Sequence, residues 1–226
     1  MNAPAFNRKK STETGFTLVE IAIVLVIIGL LLGGILKGQE MITQARIKNV
    51  VNDFNGITVA VTSYQDRYRF LPGDDPNANT RWTTQAPANG GGNGAIAGKY
   101  NATVAAAPTG AEESNLFWQH LRIAGFVAGT TTGAASGTQP PNAAGGIIGV
   151  QNADATVGLG FTGLTICSSN LPDKIAGAVD TQMDDGNSAT GQMRAQSGGS
   201  SPDLAANAAS NYVETGVGQY LVCKAF

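Results

Sequence analysis

The stretch GFTLVEIAIVLVIIGLLLGGIL, residues 15–36, decides the fold of this chain. In it a single carboxylate, Glu20, stands at the entrance of sixteen uncharged residues, Ile21 to Leu36. A simple membrane anchor has no need for that charge, because an unpaired carboxylate in an apolar helix is costly. The tract Arg8-Lys9-Lys10 lies upstream, and Gly15 precedes the apolar core, whereas a signal peptide has its small residues after it. The stretch therefore predicts a membrane helix whose one charged side chain has a further task.

This arrangement resembles the start of a type IV prepilin or of a type II secretion pseudopilin. The resemblance implies that a prepilin peptidase cuts between Gly15 and Phe16 and that the same kind of enzyme methylates the new Phe16 amine. It implies that Glu20 is the assembly carboxylate, which meets the N-terminal amine of the neighbouring subunit. A contact between Glu20 and Phe16 of the same chain is the alternative. The resemblance is specific over residues 8–72.

The same resemblance implies an α+β, pilin-like fold with four parts. Residues 1–15 form a cytoplasmic leader, 16–37 a transmembrane and filament-core helix, 38–70 its amphipathic continuation, and 71–226 an extracytoplasmic globular head. The basic tract before the apolar run independently predicts a cytoplasmic leader and an exported remainder. The outer half of the helix is expected to pack on a small antiparallel sheet, among long loops rich in Gly, Ala and Asn.

The outer half of the helix carries apolar residues at steps of three and four, which predicts one buried face. These residues are Ile47, Val50, Val51, Phe54, Ile57, Val61, Tyr64 and Tyr68. The helix is expected to run to about Phe70, because Leu71-Pro72-Gly73 disfavours its continuation. In the head, residues 74–110 and 130–146 are predicted loops and 112–124 a short helix. The predicted strands are 147–151, 157–167, 175–179, 192–195 and 219–225.

Two pairs of glycines lie within the apolar half of the helix, Gly29 with Gly33 and Gly34 with Gly38. Small residues at this spacing let helices approach closely in lipid, although Gly is also simply tolerated there. Many type IVa pilins have a proline where this chain has Lys37, so the usual kink is not expected. The Gly33-Gly34 pair is instead the predicted weak point of the helix.

The two cysteines, Cys167 and Cys223, lie far beyond the membrane segment, in the part expected to be exported, where disulfides persist. Pilins often tie their C-terminal region with such a bridge, and the resemblance implies one here. Two free buried thiols are the alternative. A bridge of this length would stabilise the fold by about 4 kcal/mol on the chain-entropy model.

One acidic group, Asp180, Asp184 and Asp185, precedes Gly186 and is the candidate calcium site. Calcium prefers oxygen ligands, and some pseudopilins bind it in the head, but this spacing lacks the alternation of an EF-hand loop. A solvated turn is the favoured interpretation, so no cofactor is expected. Asp74-Asp75-Pro76 is expected to cap the loop after the long helix.

Catalytic and nucleic-acid functions receive little support from the composition. The one histidine, His120, lies in the predicted short helix, where it is expected to be a helix residue at the edge of the core. A zinc site lacks ligands, and no Gly-x-Ser-x-Gly elbow or phosphate loop is present. The formal charge of the chain is −2, and the leader carries +2, so the remaining residues carry −4. This charge does not indicate the basic surface that binding of nucleic acid generally needs.

The sequence therefore predicts a filament subunit, not an enzyme. Its expected partners are copies of itself, other pilins, a prepilin peptidase and methylase, an inner-membrane assembly platform and the membrane. A type IV pilus for adhesion, motility or DNA uptake is favoured over a type II secretion pseudopilus. The precursor is expected in the bacterial inner membrane, and the assembled subunit at the cell surface or in a periplasmic pseudopilus. A monomeric, membrane-tethered binding domain is the alternative from another class.

Overall fold

The computed structural model describes residues 15, 17–104, 107–110, 112–154, 159–198 and 211–226. The predictions for residues 1–14 and for Phe16 lie outside the described residues. The chain divides into two compact units, Met1–Ile42 and Thr43–Phe226. We describe each unit by itself.

The described part of the first unit is the beginning of helix α1, Leu18–Tyr68. Its apolar side chains are exposed; Leu25, for example, is 64% exposed and Leu30 73%. The helix is long and apolar enough to cross a membrane. A soluble monomer rarely exposes an apolar surface of this size, so this part of α1 needs lipid or other helices around it.

In the second unit α1 buries one face, as the spacing predicts. Its buried residues are Ile47, Val50, Phe54, Ile57, Ala60, Val61 and Tyr64. Val51 and Tyr68, which the prediction also placed on this face, are partly buried against the same core. The helix ends at Tyr68, two residues before the predicted boundary.

The head contains a four-stranded antiparallel sheet, which confirms the α+β class. Its strands are β1 (Ile148–Ala153), β2 (Gly163–Pro172), β3 (Met193–Ser197) and β4 (Gln219–Ala225). Their order across the sheet is β1-β2-β4-β3. The helices that follow α1 are α2 (Ala78–Arg81), α3 (Glu113–Ile123) and α4 (Asp173–Met183), with a 3₁₀ turn at Ala134–Ser136.

One predicted strand was wrong, and the beginning of another was misplaced. Residues 175–179 belong to α4, because Ile175, Ala176 and Val179 share one helical face and are buried together. The strand predicted over 157–167 begins only at Gly163. Leu159 and Gly160 both have positive φ angles, 56° and 76°, and so form a turn before the strand instead of part of it.

Side chains from the two faces of the sheet enter two apolar clusters. Ile166 and Val222 point into the main core, which also holds the buried face of α1 and residues of α3. Their chain neighbours Cys167 and Leu221 point into a smaller cluster with Tyr100. This alternation is the two-residue period of a strand. The main core thus joins the outer half of α1 to the sheet.

Candidate functional site

The first turn of α1 is closed by a reciprocal cap between Thr17 and Glu20. The backbone N–H and the hydroxyl of Thr17 donate to Glu20 Oε2 at 2.8 and 2.7 Å, and the Glu20 N–H donates to Thr17 Oγ1 at 3.3 Å. Since the helix begins at Leu18, Thr17 is its N-cap residue and Glu20 occupies the third helical position. This is a capping box, which satisfies two donors at the start of a helix.

The Thr-x-x-Glu spacing was a signal for this cap that the sequence analysis missed. Thr17 is therefore an additional residue of the candidate site. The predicted contact of Glu20 with Phe16 stays a prediction, since Phe16 lies outside the described residues. Gly15 is exposed and not helical, as a bond to be cut just before a helix would need to be. The arrangement places one satisfied carboxylate at the beginning of an exposed apolar helix.

The glycines of the first unit make no close packing within the described chain. A Cβ built on Gly29, Gly33, Gly34 or Gly38 meets no heavy atom within 4 Å among the described residues, outside the helix's own backbone. The helix is continuous across these positions. Lys37 pairs with Glu40 at 2.9 Å on its exposed surface. Packing and unwinding at the glycines therefore stay predictions about the assembled state.

Cys167 and Cys223 form a disulfide in the structure. They lie directly opposite each other on β2 and β4, and both are fully buried. The bridge encloses the chain between two strands, which includes α4 and β3. It therefore fastens the C-terminal part of the head to the centre of the sheet.

The three carboxylates of the acidic group come together, with oxygen atoms within 4.8 Å of one another. Burial and the neighbouring Asp185 and Asp184 raise the pKa of Asp180. Each carboxylate already accepts hydrogen bonds: Asp180 from Gly186 and Tyr212, Asp184 from Met193, and Asp185 from Asn187 and Thr190. These contacts fix the turn after α4, and calcium binding stays a prediction.

His120 is fully buried, so its predicted place at the edge of the core was wrong. The Gly73 N–H donates to Nδ1 at 3.0 Å, and Nε2 lies 3.1 Å from the Ala88 carbonyl oxygen. Nδ1 must then be an acceptor and Nε2 the protonated donor, which is the neutral tautomer. Burial lowers the pKa of His120 to about 4. A neutral imidazole with both nitrogens engaged is a structural group, and nothing in this geometry suits a general base.

Two buried acids that the sequence analysis did not single out as a pair hold the glycine-rich loop. Asp74 accepts backbone N–H bonds from Asn93 and Gly94 at 3.0 and 2.7 Å. Glu113, on α3, accepts them from Gly91 and Ala97 at 2.6 and 2.8 Å. The predicted exposed loop is thus fixed from inside, at residues 91–97, by two carboxylates.

A buried guanidinium does the same for a second loop. Arg122 donates to the carbonyl oxygens of Ser136 at 2.5 Å and Thr138 at 2.7 Å, and more weakly to those of Ala128 and Ala135. Burial lowers the pKa of Arg122. These anchors contact partners far along the chain, so no local sequence pattern marks them.

Residues 10–36 match the family model described as the prokaryotic N-terminal methylation motif. The match includes the predicted cleavage bond, the Thr17–Glu20 cap and the first glycine pair. No curated protein is similar enough to the chain to count as a relative. The motif therefore covers the segment in which the structure places the capped Glu20 carboxylate and, after it, an apolar helix that no other described part of the chain covers.

Proposed function

We propose that this chain, which carries the N-terminal methylation motif that is the hallmark of type IV pilins and pseudopilins, is a subunit of a type IV pilus. One observation carries the proposal: the motif leads directly into an exposed apolar helix whose only early charge is Glu20. Such a helix suits a bilayer before assembly and a bundle of helices afterwards. The role is structural, and adhesion, motility or DNA uptake would be properties of the filament.

In the proposed sequence of events the precursor sits in the bacterial inner membrane with its head outside the cytoplasm. A prepilin peptidase removes residues 1–15, and Phe16 becomes the methylated N-terminus. An assembly platform then transfers α1 from lipid to the filament core. Lipid and helix interiors are similarly apolar, so the gain comes from helix packing at the glycine pairs and from pairing Glu20 with the amine of a neighbour. Heterologous contacts that do not close a ring propagate as a filament.

A pseudopilin of a type II secretion system is the second candidate within the same class. The head favours the pilus, because its long loops rich in Ala, Gly, Thr and Asn suit a displayed surface and are held in place by buried anchors. Glu20 further argues against the tip pseudopilin, which typically lacks this residue.

The test is mass spectrometry of filaments sheared from the cell surface. Abundant N-terminal peptide beginning at N-methylated Phe16 would support the pilus. Processed chain found only in the cell envelope would favour the pseudopilus. A chain that keeps residues 1–15 in cells containing the peptidase would contradict both.

A membrane-tethered binding domain is separated from a filament subunit by substituting Glu20. In a filament subunit Glu20→Ala should abolish incorporation while the membrane level of the precursor is maintained. Glu40→Ala is the matched control, since it removes an exposed carboxylate from the same helix. Equal filament yields from the two variants would favour the tethered domain.

A further inference from the structure

A groove of about 270 Å³ runs beside α1 in the second unit. Asp53 and Gly56 of the helix form one side of it. Trp118, Phe126 and Pro140 are among the apolar residues that form the rest. The groove is therefore mostly apolar with a single acid, and it lies on the helix that is proposed to polymerise.

Asp53 is half-buried and has no hydrogen-bond or ion-pair partner in the described part of the chain. Burial raises the pKa of its carboxyl. A carboxylate with reduced solvation is stabilised by an opposite charge close to it. Asp53 would therefore be stabilised by a cation in the groove, and none of the described residues supplies one.

Trp118, which also lines the groove, carries a donor that no described residue pairs. Trp118 is fully buried, and its indole Nε1–H has no acceptor among the described residues. A buried donor without a partner is uncommon in proteins. Of the two groups, Asp53 is the one that an occupant of the groove can meet, so the occupant should bring a cation.

The exposed surface of α1 offers two cations near Asp53, Arg46 and Lys48, and neither has an ion-pair partner among the residues that the structure describes. At 3.6 residues per turn, Lys48 lies about 140° around the helix from Asp53, whereas Arg46 lies within about 20° of it. Head-to-tail contacts between parallel helices join different faces, so they can use Lys48. Arg46 lies on the same face as Asp53, so a pair between them needs the same face of both chains. An antiparallel contact of that kind is not made by chains inserted from the same side of a membrane. A parallel one leaves no free copy of the face for a third chain, so it does not propagate as a filament.

The register of two such helices follows from their charges. When the Asp53 face of one helix meets the Lys48 face of a parallel copy without an axial shift, the two side chains lie five residues apart along the axis. A shift of five residues, about 7.5 Å at the helical rise, brings them to the same level, where opposite charges attract. Gln44 and Asn55 lie near the Lys48 face and are exposed, so this face of the second copy is polar.

We propose that Asp53 in the groove of one subunit pairs with Lys48 of a second copy of the chain, laid parallel and shifted by about five residues along the helix axis. This inference rests on the proposed filament function and specifies one of its contacts. Charge pairs of this kind set register and exclude other alignments.

Cross-linking in assembled filaments tests the pair. Cells would produce the full chain with Lys48→Cys and Asp53→Cys together, each change alone, or Arg46→Cys with Asp53→Cys as the matched control. A short bismaleimide is applied to sheared filaments, where Cys167 and Cys223 are already bonded to each other. We expect a ladder of dimers, trimers and larger species from the first double variant only.

Three results would overturn the pairing: normal filaments without a ladder, a ladder from the Arg46 control, or dimers of the Asp53→Cys chain alone. Absence of filaments from the unaltered chain would instead contradict the proposed function itself.

Charge exchange keeps the test decisive if the cysteine variants assemble poorly. Lys48→Asp and Asp53→Lys should each reduce sheared filament roughly tenfold, and their combination should restore most of it. Arg46→Asp with Asp53→Lys should show no such recovery. A double exchange no better than its single variants would contradict the pairing.

Discussion

Thr17 and Glu20 satisfy each other across the first turn of α1, with hydrogen bonds of 2.7, 2.8 and 3.3 Å. The carboxylate that the proposed assembly requires is therefore already held by its own helix. A neighbouring amine must either share Glu20 with Thr17 or replace it. The cap keeps the carboxylate oriented until that partner arrives.

Thr17→Val should weaken the start of α1 by about 1 kcal/mol, since the hydroxyl that caps the helix is lost. Thr17→Ser keeps the hydroxyl and should remain close to the unaltered chain. Hydrogen exchange of the Val19 and Glu20 amides in the micelle-bound precursor measures the difference. Equal protection in the two variants would show that the cap contributes nothing.

His120 should make the head less stable in mild acid. Its pKa is about 4 in the folded chain and 6.5 for an unperturbed histidine, so between these values the unfolded chain binds a proton that the folded chain refuses. The loss should begin as the pH falls below about 6.5 and reach about 3 kcal/mol near pH 4. Urea unfolding of the mature chain in detergent, followed by tryptophan fluorescence, measures it.

The control for this prediction is His120→Gln, which has no titration in that range. Because the chain has one histidine, the difference between the two pH profiles isolates its imidazole. Asp53 and Asp180, whose pKa values are raised by burial, act in the opposite direction and are common to both chains. Parallel profiles would contradict the neutral, buried state of His120.

Arg122→Lys should destabilise the head although it keeps the charge. A lysine cannot reach the separate carbonyls of Ser136 and Thr138 together, and leaving one buried acceptor unpaired costs about 2 kcal/mol. Arg67→Lys, at an exposed position, is the control and should change the free energy of unfolding by less than about 0.5 kcal/mol. The midpoint of urea unfolding is measured for each variant. Similar shifts in both variants would contradict the anchoring role of Arg122.

Gly73 and Gly94 separate backbone strain from close packing. Both have positive φ angles, 91° and 80°, so an alanine at either position is strained by about 1 kcal/mol. Only at Gly73 would the new Cβ also lie 2.5 Å from the Glu113 carbonyl oxygen. Gly73→Ala should therefore lower the melting temperature clearly more than Gly94→Ala. Equal effects would show that α3 can move away at little cost.

Local patterns predicted the parts of the fold that depend on neighbouring residues. The buried face of α1 follows from steps of three and four. The Thr17–Glu20 cap has a four-residue signature of the same local kind, but the sequence analysis missed it. Residues 175–179 were assigned to a strand because a short apolar run fits the period of a strand as well as that of a helix. In the structure these residues form part of α4, which packs on the sheet. Asp74 was expected only to cap the loop after α1, and Arg122 was not singled out, because most of their bonds reach partners 14 to 20 residues away.

The loop anchors of the head recognise only main-chain groups. Asp74 and Glu113 accept from backbone N–H groups, and Arg122 donates to backbone carbonyls, so none of them depends on which outward side chains the loops carry. Point changes at the loop surface leave these bonds intact, whereas an insertion between anchored residues breaks them. In the proposed pilus, a lineage could therefore alter the epitopes it presents to antibodies or phage residue by residue, while loop length stays constrained and every subunit keeps the same outline.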